Sequence, residues 1–310
     1  MLQKVRRSVQ LAIFLSVAAV AFVSNYGVIL SMKSQRDFTE VATEDSGVVL
    51  AWLYTALHRV VDPPFNPVET LPTLDRYKGG VWSLSILGVD LTDPLAGLVV
   101  MLASLDFHWR LLAAMALPLL FIVVFGRAFC GWICPMGTLL ELVDDLRRYL
   151  SRALGLELPD YRIHGGYRYF VLAGGVAAAL FGGTALLFLL PYGPVSFEIF
   201  HLIFFGGFSF LVFFIVFFIA VDLVSRRGWC RYLCPAGAFF SLLSPLRLLR
   251  VRRVAEGCPP GCEICTEECT MALEPHRDRI GTGCDNCGSC ISACPAKTIN
   301  YRIGTVGGGK

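Results

Sequence analysis

Residues 258–295 read CPPGCEICTEECTMALEPHRDRIGTGCDNCGSCISACP, from Cys258 to Pro295, and hold eight of the chain's twelve cysteines. These form two quartets. The second, Cys284, Cys287, Cys290 and Cys294, has the spacing C-x2-C-x2-C-x3-C and is followed by Pro295. Zinc sites usually show two separated cysteine pairs. Here three closely spaced thiols precede a fourth in both quartets, which favours iron–sulfur over zinc or disulfides. Cys262, Cys265 and Cys269 recur 25 residues later as Cys287, Cys290 and Cys294, the mark of a pseudo-duplication.

The second quartet resembles the cysteine run of bacterial ferredoxins. In the two-cluster members the fourth cysteine of each run ligates the other cluster. The resemblance implies one [4Fe–4S] cluster on Cys284, Cys287, Cys290 and Cys269, and another on Cys258, Cys262, Cys265 and Cys294. The first quartet departs from the pattern in two places. Three residues separate Cys258 from Cys262, and Thr270 stands where a proline would follow Cys269. Pro259 and Gly261 supply a fixed and a permissive φ with which an enlarged loop can still wrap a cluster.

Outward from this stretch the composition changes. The 310 residues are 55% hydrophobic and 16% charged, where a soluble domain carries about a quarter charged residues. The formal charge of +3 is too small to indicate a nucleic-acid partner. Four apolar runs predict transmembrane helices: Val9–Leu30, Leu111–Phe129, Tyr169–Leu190 and Ile203–Val221. The first lacks a small-residue cleavage site and reads as an uncleaved anchor. Residues 31–108 are acid-rich and read as an external loop. The shorter stretches at 48–61 and 95–105 read as interfacial or re-entrant rather than spanning. Basic clusters flank the spans and place both termini and every cysteine on the cytoplasmic side of a bacterial inner membrane. Residues 139–156 read as an amphipathic helix, either on the membrane surface or packed as a connector. The expected architecture is an α-helical membrane domain with four transmembrane helices (1–250). A basic neck of Arg247, Arg250, Arg252 and Arg253 then leads to a small α+β two-cluster ferredoxin domain (251–310).

The other four cysteines form two C-x3-C-P pairs, Cys130/Cys134 and Cys230/Cys234. Each follows an apolar run, so the pairs are expected to lie near one another. Four convergent thiolates could hold a further cluster or metal. Alternatively, Arg127 and Arg231 could stabilise redox-active thiolates. With GVDLTDPLAGL (88–98), FCGWICPMG (129–137) and GWCRYLCPAGAFFSLLS (228–244), the chain resembles the ferredoxin-type membrane quinol dehydrogenase family. Its members serve periplasmic nitrate reductase or methylamine utilisation. Relatives in nitrous-oxide respiration and oxidase assembly share the core and carry additional domains. The resemblance implies oxidation of membrane quinol and electron transfer towards a periplasmic reductase, with a ferredoxin-type or reductase subunit as partner. The alternative is a maturation factor that supplies electrons or thiol reduction to a partner metalloenzyme or quinoprotein.

Quinol oxidation also needs proton acceptors, and ionisable groups within apolar runs are candidates for that work. Asp222, eight residues before Cys230, is one. Glu198 and His201 form a second pair at i, i+3. Asp93 and His108 are weaker candidates, and capping or ion pairing would equally account for Asp222.

Overall fold

The computed structural model describes residues 2–16, 83–86, 89–155, 161, 165–205, 207–253, 257–259, 261–278 and 280–304. It corrects the expectation of four transmembrane helices. Crossing a hydrocarbon core takes about 20 helical residues, and no helix among the described residues is long and apolar enough to do so. The second expected span forms the helix Trp109–Phe125, 17 residues long, and ends at Gly126 with φ +65°. The third breaks in two, Tyr167–Leu180 and Ala185–Phe188, around Gly182 at φ +80°. The fourth splits between Tyr192–Phe205 and Val212–Val224. Glycine removes the steric penalty on φ > 0 and so lets the chain turn inside an apolar run. Continuous hydrophobicity was a poor guide to continuous helix here. For the first expected span, residues 2–16 are helical and the remainder lies outside the described residues, as do the 48–61 stretch and most of the expected loop.

The 95–105 stretch is a core element rather than an interfacial one. Asp93 caps the helix Pro94–Ser104, its Oδ1 accepting from Leu95 N at 2.9 Å and Ala96 N at 2.8 Å, with Pro94 in the first turn. Leu95 and Val99 are fully buried and pack with Met136, Leu140, Leu186, Leu190, Phe218 and Phe240 in one core. A two-stranded antiparallel hairpin, Ser83–Ile86 with Val89–Thr92, precedes this helix. The helix Pro135–Leu154 packs against Val212–Val224, burying Asp144 and Arg147 and exposing Leu142, Leu146 and Tyr149. Asp144 and Arg147 are matched: Arg226 Nε donates to Asp144 Oδ2 at 2.9 Å, and Arg147 Nη1 to the Asp222 carbonyl at 3.4 Å. The helix therefore packs one face on the body and leaves an apolar face exposed.

The cysteine-rich module closes on itself through antiparallel strands Leu249–Arg253 and Ile299–Ile303, with Leu249 opposite Ile303 and Arg253 opposite Ile299. The basic neck is therefore part of the module's sheet and its junction. Leu248 N donates to the Val124 carbonyl at 3.0 Å. The Arg247 side chain is 4% exposed and reaches the carbonyls of Cys284 (3.2 Å) and Gly281 (2.8 Å). The module is docked on the helical body, not tethered to it.

Candidate iron–sulfur and thiol centre

Each C-x3-C-P pair straddles a helix boundary. Cys130 lies in the short helix Ala128–Trp132, and Cys230 in a π-helical turn, Trp229–Leu233. Such single π turns often mark functional sites. Cys134 and Cys234 then turn extended (ψ 118° and 115°) as the N-cap residues of Pro135–Leu154 and Pro235–Leu243. The prolines start the following helices, where the missing N–H costs nothing. Gly237 N points at Cys234 Sγ, 3.4 Å away.

The two motifs face each other. Arg127 Nη2 donates to the Cys230 carbonyl at 3.5 Å, and the four thiols interact electrostatically with one another. Burial pushes the Cys130 thiol above the ordinary range; the pull of Arg127 does not overcome it. Burial likewise pushes Cys230 up to about 12 and raises Cys134 and Cys234 further. At all four thiols desolvation outweighs the pull of the nearby arginines. Thiols in such a place ionise only with a cationic partner such as a metal centre. All twelve cysteines are free, and among the described residues no group of three or more His, Cys, Asp or Glu is placed to hold a single metal ion.

Three cysteines of the second quartet and one of the first surround a cavity. Cys269, Cys284, Cys287 and Cys290 line it, with Val251, Met271 and Ile280 among the apolar walls. Those four cysteines are the set that the ferredoxin resemblance groups together. Backbone N–H groups of Asn286 and Leu273 point at Cys284 Sγ and Cys269 Sγ, each at 3.4 Å. A mostly apolar cavity with four sulfurs, two of them facing N–H donors, fits an iron–sulfur cluster, whose potential such hydrogen bonds tune. The other set is more open. Cys258, Cys262 and Cys294 are partly exposed, with Cys265 buried. Burial raises the Cys294 thiol slightly, but the Thr298 hydroxyl and nearby backbone N–H groups outweigh it and hold Cys294 below the ordinary range.

The first C-x3-C-P loop touches the cavity loop directly. A Cβ added to Gly131 would stand 2.8 Å from the Asp285 carbonyl oxygen and 3.4 Å from Cys287 Cβ. Arg127 Nη1 donates to the Gly283 carbonyl at 2.8 Å, and Trp132 Nε1 to the Asn286 carbonyl at 3.0 Å. Asn286, 1% exposed, returns its Nδ2 to the carbonyls of Phe125 (2.9 Å) and Leu249 (3.1 Å). The N-terminal helix seals one side: Gln10 Nε2 donates to the Gly131 carbonyl at 3.1 Å and Gln3 Nε2 to the Cys287 carbonyl at 3.1 Å.

Of the proton-transfer candidates, only Asp222 lies near the thiols. It is 1% exposed, and burial pushes it up to about 7 against the pull of Arg227. Glu198 accepts from both the N–H and the hydroxyl of Ser209, and His201 Nδ1 lies 3.0 Å from the Gly207 carbonyl. That pair braces the turn between two helices. Asp93 is the helix cap described above, and His108 stands 3.8 Å from Asp106 in an exposed position. Sequence reading missed Arg227, Gly131, Asp285 and Asn286. A signal for Arg227 was present: R-x2-C-x3-C-P-x-G occurs at 127–137 and again at 227–237.

A family model for a 4Fe-4S binding domain matches residues 107–153 and 206–253, so each match contains one C-x3-C-P pair. The chain is 38% identical over 202 residues to the methylamine utilization ferredoxin-type protein MauN of Methylorubrum extorquens, covering 64% of this chain and 66% of that protein. It is 32% identical to the putative electron transport protein YccM of Escherichia coli, covering 70% and 64%. It is 27% identical to the ferredoxin-type protein NapH of Haemophilus influenzae, covering 72% and 81%. The chain thus spans about two thirds of the length of the first two relatives. No solved structure matches it. Paired C-x3-C-P loops docked on a cysteine-lined cavity, together with these relatives, identify the chain as a member of the ferredoxin-type iron–sulfur electron-transfer family of NapH and MauN.

Proposed function

We propose that the chain is the quinol-oxidising electron-transfer component of a reductase system at the bacterial inner membrane. The observation that carries this reading is the direct packing of the Cys130 loop on the Cys287 loop. Cys284, Cys287, Cys290 and Cys269 would hold one [4Fe–4S] cluster and Cys258, Cys262, Cys265 and Cys294 another. Cys130, Cys134, Cys230 and Cys234 would hold a third centre. When bound, such clusters take up and release single electrons, which divides the two-electron donation of a quinol.

The chain's own residues supply the rest. Gly131, Arg127, Trp132 and Asn286 keep the two cysteine loops in register and exclude water between them. Asp222, close to neutral pH in its titration, is suited to accept a quinol proton beside Cys230. Phe170, Phe181, Phe208, Phe210 and Phe213 point outward from the helical body, an apolar exterior suited to lipid and to a lipid-soluble donor. The open Cys258–Cys265 side suits a partner subunit. The likeness to MauN favours a second reading, electron supply to the maturation of a partner enzyme.

Anaerobic purification followed by EPR after addition of a quinol analogue tests the first reading. Reduced-cluster signals are expected. Clusters that stay oxidised with every quinol tried, yet reduce with dithionite, would overturn it.

A further inference from the structure

The repeat that relates the two C-x3-C-P motifs includes an arginine before and a glycine after the cysteines, at Arg127/Gly137 and Arg227/Gly237. In the structure the repeat is crossed. Arg127 also reaches across to the Cys230 carbonyl, and its Nη2 stands 2.8 Å from where a Cβ on Gly237 would lie. Arg227 does the reverse. Its Nη1 is 3.7 Å from the Cβ position of Gly137, and its Nη2 pairs with Glu141 Oε2 at 3.5 Å. Gly237 makes room for Arg127; a Cβ on Gly137 would meet Arg227 at ordinary contact distance and would crowd the Cys130 carbonyl, 2.7 Å away.

Both guanidiniums are buried, at 0% and 2% exposure, and the Nε of each has no hydrogen-bond partner. Arg227 also holds a left-handed backbone conformation, φ +54°, which is costly for a residue with a Cβ. Burying a cation and leaving a donor unmatched both oppose folding. Glu141 is shared with Arg6, which it meets at 2.5 Å, so it is not a dedicated counter-ion for Arg227. The sulfur that each guanidinium interacts with most strongly belongs to its own motif, Cys130 for Arg127 and Cys230 for Arg227.

We infer that Arg127 and Arg227 are a crossed pair of positioning residues that hold a negatively charged iron–sulfur centre between the two C-x3-C-P motifs and favour its reduced state. This rests on the reading of those four cysteines as ligands of a third centre. Each arginine adds a fixed positive charge in a site from which water is excluded, where it acts at full strength on an added electron. Because each arginine acts on a sulfur of its own motif and also contacts the opposite motif, the centre is complete only when both halves of the repeat are docked.

The full chain, purified anaerobically, would be assayed for iron and acid-labile sulfide and titrated redox-potentiometrically by EPR. A wild-type content of about twelve irons per chain supports the third centre, and about eight overturns it together with this inference. Given twelve, Arg227→Gln should lower the reduced-to-oxidised ratio of that centre about tenfold at fixed ambient potential. The signal from the Cys258–Cys294 set should stay in place. Arg227→Lys, which keeps the charge but not the planar fork, should restore most of the ratio. Gly237→Ala, which displaces the Arg127 fork, should shift the ratio in the same direction by less. An unchanged ratio in Arg227→Gln with full iron content overturns the inference alone, as does equal loss in the Gln and Lys variants. If Arg227→Gln sheds iron from the centre, retention in the Lys variant supports the inference and loss overturns it. A Gly237→Ala chain with the wild-type ratio overturns the crossed geometry.

Discussion

The two cysteine quartets descend from one pattern and occupy opposite environments. Cys284, Cys287 and Cys290 are buried against the helical body, in a loop held by Arg127, Arg247, Trp132 and Gln3. Cys258 and Cys262 are partly exposed, in the quartet with the enlarged spacing. Burial and spacing vary together: the loop that must fit against another surface keeps the tight C-x2-C-x2-C run, and the freer loop tolerates an extra residue. Cys284, Cys287 and Cys290 lie towards the helical body and Cys258 and Cys262 towards solvent, which gives the module an inner and an outer side.

Paired substitutions would break this comparison most sharply. Cys287→Ser should remove about four irons per chain and also loosen the module from the helical body. Cys258→Ser should remove a similar amount and leave the docking intact. Iron analysis combined with limited proteolysis at the 247–249 junction distinguishes the two, and equal protease sensitivity would erase the inner–outer distinction. The next largest effect is expected of Asn286→Ala. It strands the Phe125 and Leu249 carbonyls in a buried place, at a cost of about 2–4 kcal/mol read as a fall in unfolding midpoint. It also asks alanine to adopt the left-handed φ of +52°.

A further effect concerns pH. Asp222 is raised from 3.8 to about 7 in the folded chain, so between those values the folded state holds a proton that the unfolded state has lost. Stability should then fall as pH rises from about 4 to about 7, by at most about 1.4 kcal/mol per pH unit. Asp222→Asn should flatten that slope and leave the variant more stable than wild type above pH 7. A slope unchanged by the substitution would show that Asp222 remains ionised throughout.

The sequence showed less of the fold than of the chemistry. Apolar runs such as Tyr169–Leu190 looked continuous because hydropathy averages over a window and gives a glycine pair little weight. Backbone dihedrals do not average, and one residue at φ +80° ends the helix. Arg247 looked like part of a charged linker because charge is usually solvated; here carbonyls of the docked loop replace the water. Asp93 and Glu198 looked like proton-transfer candidates by residue type, and both serve as local braces.

Taken alone, the sequence determined the ligand chemistry: thiol number, spacing, the two quartets and the two C-x3-C-P pairs. Those follow from local covalent reach, since residues two to four apart are neighbours in any compact loop. Tertiary structure alone decided that the pairs face each other, that the Cys287 loop rests on Gly131, and that Arg127 reaches Gly283, 156 residues away. No local window contains such contacts. They exist because burying the apolar helices brings both motifs to one end of a shared core, where only glycine leaves space for a guanidinium.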